Sequence, residues 1–276
     1  MPQPTVLIDQ KSPSQLAEAN LVEIFSAIQG EGVNVGTRQI FVRFGGCDLR
    51  CTYCDSAHTW RPHNECEIEV EAGKRQYETF ANPVSDAQLL SWILRLDQPK
   101  IHDSISFTGG EPLLHHEFLQ QFLPKLKQQS DLPIYLETGG HHPDKLTPLL
   151  SDIDLIGMDI KLPSVSGEDH WNAHERFLDL ALKAHTDIFC KVIVSDQTSS
   201  NELEQAAAMI RKIDSRIPCY LQPMTAIGKF TALQRDAQGV ASPPNPDQVL
   251  EWQVLMKQFL SEVRVVPQTH KMIDQK

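Results

Sequence analysis

The first informative feature of this 276-residue sequence is what it lacks. No apolar run approaches the ~20 residues that a membrane-spanning helix needs, so no membrane partner is expected. The first twenty residues are polar and contain proline. Without a basic start leading into an apolar core they do not read as a secretory signal, and a cytoplasmic location is expected. Basic residues are scarce, 25 Lys plus Arg against 36 Asp plus Glu, for a formal net charge of −11. An acidic surface repels polyphosphate, which argues against a nucleic-acid partner. There is no internal repeat, heptad pattern or low-complexity tract, so neither a repeat architecture nor a coiled coil is read. Disorder is excluded by an ordinary globular composition, 41% hydrophobic and 22% charged. Cysteine is limited to six residues. A chain of this length buries roughly three quarters of its unfolded surface without disulfide staples, so the six are read as thiols, ligands or catalysts.

What is present is alternation. Short runs rich in Ile, Val, Phe and Leu at residues 39–44, 104–108, 133–137, 154–159, 188–194 and 218–222 predict buried strands, with 262–266 a candidate last strand. Amphipathic stretches at 85–96, 113–128, 168–184, 201–213 and 246–260 predict helices, the first capped by Ser85 and the second opened by Pro112. Strands and helices in turn imply an α/β fold with a parallel sheet. About six βα units predict a partial (β/α)6 TIM-like barrel. Residues 66–80, around Ala72-Gly73-Lys74, predict a small hairpin insertion after the cysteine loop, and the proline-rich 236–247 an exposed loop. Neither marks a boundary, so a single domain over 1–276 is expected.

Each predicted strand ends in small or polar residues: Gly45-Gly46-Cys47, Thr108-Gly109-Gly110-Glu111, Glu137-Thr138-Gly139-Gly140, Asp159 with Lys161, Ser195-Asp196, and Gln222-Pro223. In a parallel barrel these ends share the face where loops build the active site. Cys47, Cys51 and Cys54 form C-x3-C-x2-C in the first of them. Three thiolates suit an iron–sulfur cube with one iron left open for chemistry. Spacing alone also allows zinc completed by Cys66 or His58. Cys190 and Cys219, inside predicted strands, read as buried small hydrophobes. His115-His116 and His141-His142 read as solvated pairs, and the acidic run 65–71 as an exposed hairpin face.

The three cysteines, with Tyr53 before the last of them and Gly109-Gly110-Glu111-Pro112 after the second predicted strand, resemble the radical S-adenosylmethionine superfamily. That resemblance implies a [4Fe–4S] cluster whose open iron chelates S-adenosylmethionine. Gly109, Gly110 and Glu111 would then lie against the methionine ammonium. Residues 24–32, 41–51, 54–56 and 268–271 are further similar to the 7-carboxy-7-deazaguanine synthase family. This implies radical ring contraction of 6-carboxy-5,6,7,8-tetrahydropterin, with loss of ammonia, on the way to queuosine and other deazapurines. By the same resemblance Ile28, Gln29, Gly30, Glu31, Arg43, Thr108 and His270 bind substrate. Gln29 and Glu31 suit a pyrimidine edge, and the Arg43 fork suits a carboxylate. Ser56, where many relatives have Thr, would hold Mg²⁺. Tyr53, Glu137, Asp159, Lys161 and Gln222 join the cofactor side, Glu137 at the ribose hydroxyls. Many relatives have Ser-Pro-Lys where this chain has Asp159-Ile160-Lys161. A homodimer and an electron donor such as flavodoxin are also implied. The competing readings are a glycyl-radical activating enzyme, which shares the cysteine and Gly-Gly-Glu motifs, and a zinc-stabilised binding module.

Overall fold

The apolar runs become strands of one open sheet in a computed structural model that describes residues 18–98, 100–226 and 241–276. The strands are β1 (Glu18–Ala19), β2 (Leu21–Ile28), β3 (Arg38–Phe44), β4 (Glu65–Glu69), β5 (Tyr77–Ala81), β6 (Val84–Ser85), β7 (Ser104–Gly109), β8 (Ile134–Thr138), β9 (Leu155–Asp159), β10 (Asp187–Val194), β11 (Cys219–Pro223) and β12 (Val263–Val265). Ten of them are ordered β12-β11-β10-β9-β8-β7-β3-β2-β4-β5, while β1 and β6 pair apart. From β12 to β3 every pairing is parallel. The sheet ends at β12 on one side and β5 on the other, so the predicted partial barrel is found, and no closed barrel forms among the described residues.

Helices cross over between the parallel strands. Asp86–Leu96 starts at Ser85, whose hydroxyl accepts from the Gln88 backbone in a capping box. Its Leu89, Trp92, Ile93 and Leu96 are buried, the spacing of one helix face. The predicted helix 113–128 is divided in two. Pro112–His115 is a 3₁₀ turn and His116–Lys127 the α-helix. Trp171–Lys183, Ser200–Asp214 and Pro246–Lys257 match the remaining predictions to within a few residues. Of the predicted loop 236–247, residues 236–240 lie outside the described residues, 241–245 are irregular, and Pro246 opens the last helix. Residues 1–17 of the stretch searched for a signal also lie outside them.

Alternation along each strand sends its two sets of side chains to different environments. Ile134 and Leu136 of β8, Ile156 and Met158 of β9 and Cys190 and Val192 of β10 join the large core with Phe122, Phe177 and Leu178 of the helices. Cys190 and Cys219 are fully buried register partners, as expected of small hydrophobes. On the other face Tyr135, Phe189 and Tyr220 form a separate aromatic cluster. The next residues on that face, Glu137 and Lys191, are charged.

Two features depart from expectation. Residues 21–28 form a full strand, antiparallel to β3, that alternation did not reveal. Seven of its eight positions are buried, so polar and apolar residues do not alternate. The 66–80 insertion is the predicted hairpin, but β4 pairs with β2 and extends the main sheet. Its acidic run is therefore not one exposed face. Glu65, Glu67 and Glu71 are exposed. Glu69 is fully buried and accepts from the backbone N–H of Ser26 at 2.8 Å and of Arg75 at 2.7 Å.

Candidate active site

A cavity of about 950 Å³ opens at the C-terminal ends of the parallel strands. Every site residue nominated from the sequence lines it except Gln222. Gln222 is fully buried on β11, and neither end of its amide has a hydrogen-bond partner among the described residues.

The cysteine loop leaves β3 at Gly45-Gly46 and lies against Gly109-Gly110. A Cβ on Gly110 would sit 2.1 Å from the Gly46 carbonyl oxygen, and one on Gly109 2.4 Å from the Phe44 backbone. Gly109 also has φ of +133°, which disfavours any side chain. Backbone hydrogen bonds close the contact, Gly110 N–H to Phe44 at 3.0 Å and Glu111 N–H to Gly46 at 2.9 Å. The glycines were read as room for a cofactor; they also make room for the loop that carries the thiols. Burial pushes the Cys47 thiol up to about 11 and Cys54 to about 12, and raises Cys51 as well. A thiolate there needs compensating positive charge, which a soft metal supplies. Tetrahedral zinc would draw its sulfur ligands to about 3.8 Å of one another. Among the described residues, only Asp48, His141 and His142 place three such ligand atoms within 4.8 Å. Cys47, Cys51 and Cys54, with or without Cys66 or His58, are not gathered that closely.

Glu111 is buried. Its carboxylate accepts from Leu113 N–H at 3.0 Å, Thr138 Oγ1 at 2.7 Å and Gly139 N–H at 2.9 Å. It thereby ties the loop after β7 to the loop after β8. Beside the thiols, Lys161 Nζ lies 2.9 Å from Asp159 Oδ2 and 5.6 Å from the centre of the buried Tyr53 ring.

Deeper in the cavity, Lys191 of β10 bridges two carboxylates. It pairs with Glu31 and, at 3.1 Å, with Asp159. Burial alone would raise both acids, but Lys191 holds Glu31 below the usual range, and Lys161 with Lys191 does the same for Asp159. Asp55 is likewise held low against burial by Lys271, at 2.6 Å, and accepts from Gln268 at 2.9 Å and Ser56 Oγ at 3.0 Å. Glu137 behaves oppositely: burial outweighs Lys191 and raises its pKa.

Several nominated groups already have protein partners. Gln29 donates to Gln39 at 3.1 Å and to Glu137 at 2.6 Å, and its oxygen accepts from Glu31 N–H at 3.0 Å. Thr108 Oγ1 donates to Glu137 at 3.1 Å, so the Glu137 carboxylate is held by both Gln29 and Thr108. Arg43 Nε lies 2.9 Å from Glu23, itself paired with Lys276. His270 rests on Gly30, where a Cβ would meet its Nδ1 at 2.1 Å. Sequence reading missed Lys191, Asp55, Gln268 and Lys271 as site residues. Lys191 carried a signal, a lone charge inside the apolar strand DIFCKVIV, and fully buried lysines are almost always paired. The histidines of both pairs are half-buried, not freely solvated. His141 and His142 both reach Asp48, at 3.0 and 2.8 Å, and His115 hydrogen-bonds the Gly45 carbonyl at 2.8 Å while stacking on Phe44. Short loops folding back onto the cysteine loop bury them.

Residues 41–186 match the radical SAM superfamily, and this match, with the fold and the three-cysteine cavity, defines a radical S-adenosylmethionine enzyme carrying a [4Fe–4S] cluster. The chain is 41% identical over 260 residues to 7-carboxy-7-deazaguanine synthase of Geobacter sulfurreducens, covering 93% of this chain and 98% of that one. It is 31% identical over 257 residues to the enzyme of that name from Archaeoglobus fulgidus, covering 92% and 97%. The chain belongs to the 7-carboxy-7-deazaguanine synthase family. The fold is also that of QueE from Escherichia coli, with a TM-score of 0.58 and 22% identity over 91% of this chain and 94% of that one.

Two outcomes follow from the buried charges. Lys191→Met leaves Glu31 and Asp159 without their shared cation, and should cost about 3–5 kcal/mol in chemical denaturation; a loss below about 1 kcal/mol would contradict the bridge. His174, fully buried with Nε2 3.0 Å from the Gly139 carbonyl, is pushed by burial down to about 3. It stays neutral when folded, so its stability contribution is complete above the ordinary histidine value of about 6.5 and is lost as pH falls toward the folded value. Between pH 6 and 4, His174→Gln should flatten the fall in stability by about 1.4 kcal/mol per pH unit; parallel profiles would refute this.

Proposed function

We propose that the cavity binds 6-carboxy-5,6,7,8-tetrahydropterin, and that the enzyme contracts its ring to 7-carboxy-7-deazaguanine and releases ammonia, as a lyase of queuosine and deazapurine biosynthesis. The observation that carries this reading is one cavity joining the three cysteines to Gln29, Glu31, Arg43, Glu137 and His270. When bound, the reduced cluster and S-adenosylmethionine would supply one-electron radical chemistry directed at C6 of the pterin.

The chain's own residues bind and orient. Cys47, Cys51 and Cys54 hold three irons. Tyr53, Gly109, Gly110, Glu111, Asp159 and Lys161 line the side where S-adenosylmethionine lies. Arg43 offers its guanidinium fork to the substrate carboxylate, with its Nε held by Glu23. Glu31, kept ionised by Lys191, accepts from the pyrimidine edge. Gln29 keeps one lone pair on its oxygen for the same edge, while Glu137 and Gln39 fix its orientation. Ile28, Gly30, Thr108 and His270 complete the wall. Ser56 Oγ beside the Asp55 carboxylate offers hard oxygens suited to Mg²⁺ at the substrate carboxylate.

The continuous sheet supports reading the chain as one domain. No helix among the described residues is long and apolar enough to cross a membrane; a cytoplasmic location is part of the proposed reading. A homodimer reduced by flavodoxin is part of the same reading. A glycyl-radical activating role is set aside, because the polar wall of the cavity suits a small heterocycle. Incubating the reconstituted, reduced enzyme with the carboxylated tetrahydropterin and S-adenosylmethionine should yield 7-carboxy-7-deazaguanine. Formation of 5′-deoxyadenosine without that product would overturn the substrate assignment.

A further inference from the structure

Outside the cavity chemistry, the rim of the cysteine loop carries a second set of ligating groups. Asp48 follows Cys47 directly, and His141-His142 follow Gly140 in the loop after β8. His141 Nε2 lies 3.0 Å from one Asp48 oxygen and His142 Nε2 2.8 Å from the other. These donor atoms lie within 4.8 Å of one another. The His141 side chain is only 5% exposed, while that of Asp48 is 41% exposed, so the trio is buried on one side and open to solvent on the other.

We infer that Asp48, His141 and His142 form a binding site for a divalent first-row transition cation, distinct from the iron–sulfur cluster. Two imidazoles and one carboxylate suit Zn²⁺ or its neighbours, with positions left for water, and disfavour Mg²⁺ and Ca²⁺, which prefer oxygen. A second observation points the same way. His141 Nδ1, on the far side of the ring from Asp48, is buried without a hydrogen-bond partner and lies 4.0 Å from Glu111 Oε2. A cation on Nε2 moves the proton to Nδ1 and makes it a donor facing Glu111, the arrangement that metal-bound imidazoles adopt. Such a cation would clamp the cysteine loop to the loop after β8, the two loops that Glu111 already joins.

The test uses the cluster-loaded protein, stripped of adventitious metal with a mild chelator and dialysed against Zn²⁺ in the presence of excess Mg²⁺. The wild type should retain roughly one zinc per chain beyond its iron, with iron content unchanged. His142→Gln and Asp48→Asn should each bind zinc at least about tenfold more weakly, with iron again unchanged. The zinc-dependent rise in melting temperature should disappear with the affinity. Because His142 and Asp48 are the more exposed members, their variants keep the test free of a folding defect, and iron content reports any that occurs. No zinc retained by the wild type, zinc bound equally by both variants, or zinc taken up only as iron is lost would each overturn the site.

Discussion

Three thiols held in a half-buried loop, each disfavoured as a thiolate by its surroundings, set the terms for the rest of this structure. Ionising them together in a low-dielectric pocket is costly unless positive charge arrives with the ligand. The fold meets that constraint with geometry. The cysteine loop is pressed onto a side-chain-free stretch of the next strand's loop, where backbone meets backbone. Three sulfurs hold three irons of a [4Fe–4S] cluster and leave the fourth for a substrate-like cofactor.

The second constraint is the charge carried into the barrel. Lys191 stands in the middle of the sheet between Glu31 and Asp159, so two carboxylates of the cavity share one cation. Asp159 continues the chain to Lys161 and the Tyr53 ring above the thiols. Glu137 lies beside this network without a full counter-charge, and its raised pKa sets it apart from the other acids of the cavity. A buried network of this kind is worth having only if it is complete, since each unpartnered charge in it is expensive. That explains why Gln29 and Thr108, which sequence reading aimed at a ligand, are also bound to the protein.

Much of this was legible in the sequence. Residues 104–108, 133–137, 154–159 and 188–194 announced parallel strands because the runs are short and rich in Ile, Val, Phe and Leu, with helical patterns between them. The motif C-x3-C-x2-C with Gly109-Gly110-Glu111 announced the cluster because its spacing is local. What stayed hidden depends on distance along the chain. Leu21–Ile28 was hidden because Glu23 and Ser26 interrupt its apolar run, and the partners that let them be buried, Arg43 and His102, lie elsewhere in the chain. The partners of Asp55, Gln268 and Lys271, lie more than two hundred residues away, and no pattern in either segment specifies the contact. His141 and His142 looked solvated because nothing in their own segment shows that Asp48 and the cysteine loop fold over them.

The most direct test of the central claim is electron paramagnetic resonance of the anaerobically reconstituted, reduced protein before and after addition of S-adenosylmethionine. The account predicts roughly four irons per chain and a cluster signal that shifts when the cofactor occupies the open iron, with both iron and signal lost in Cys51→Ala. A signal indifferent to the cofactor, or a colourless protein holding a single zinc at these cysteines, would contradict it.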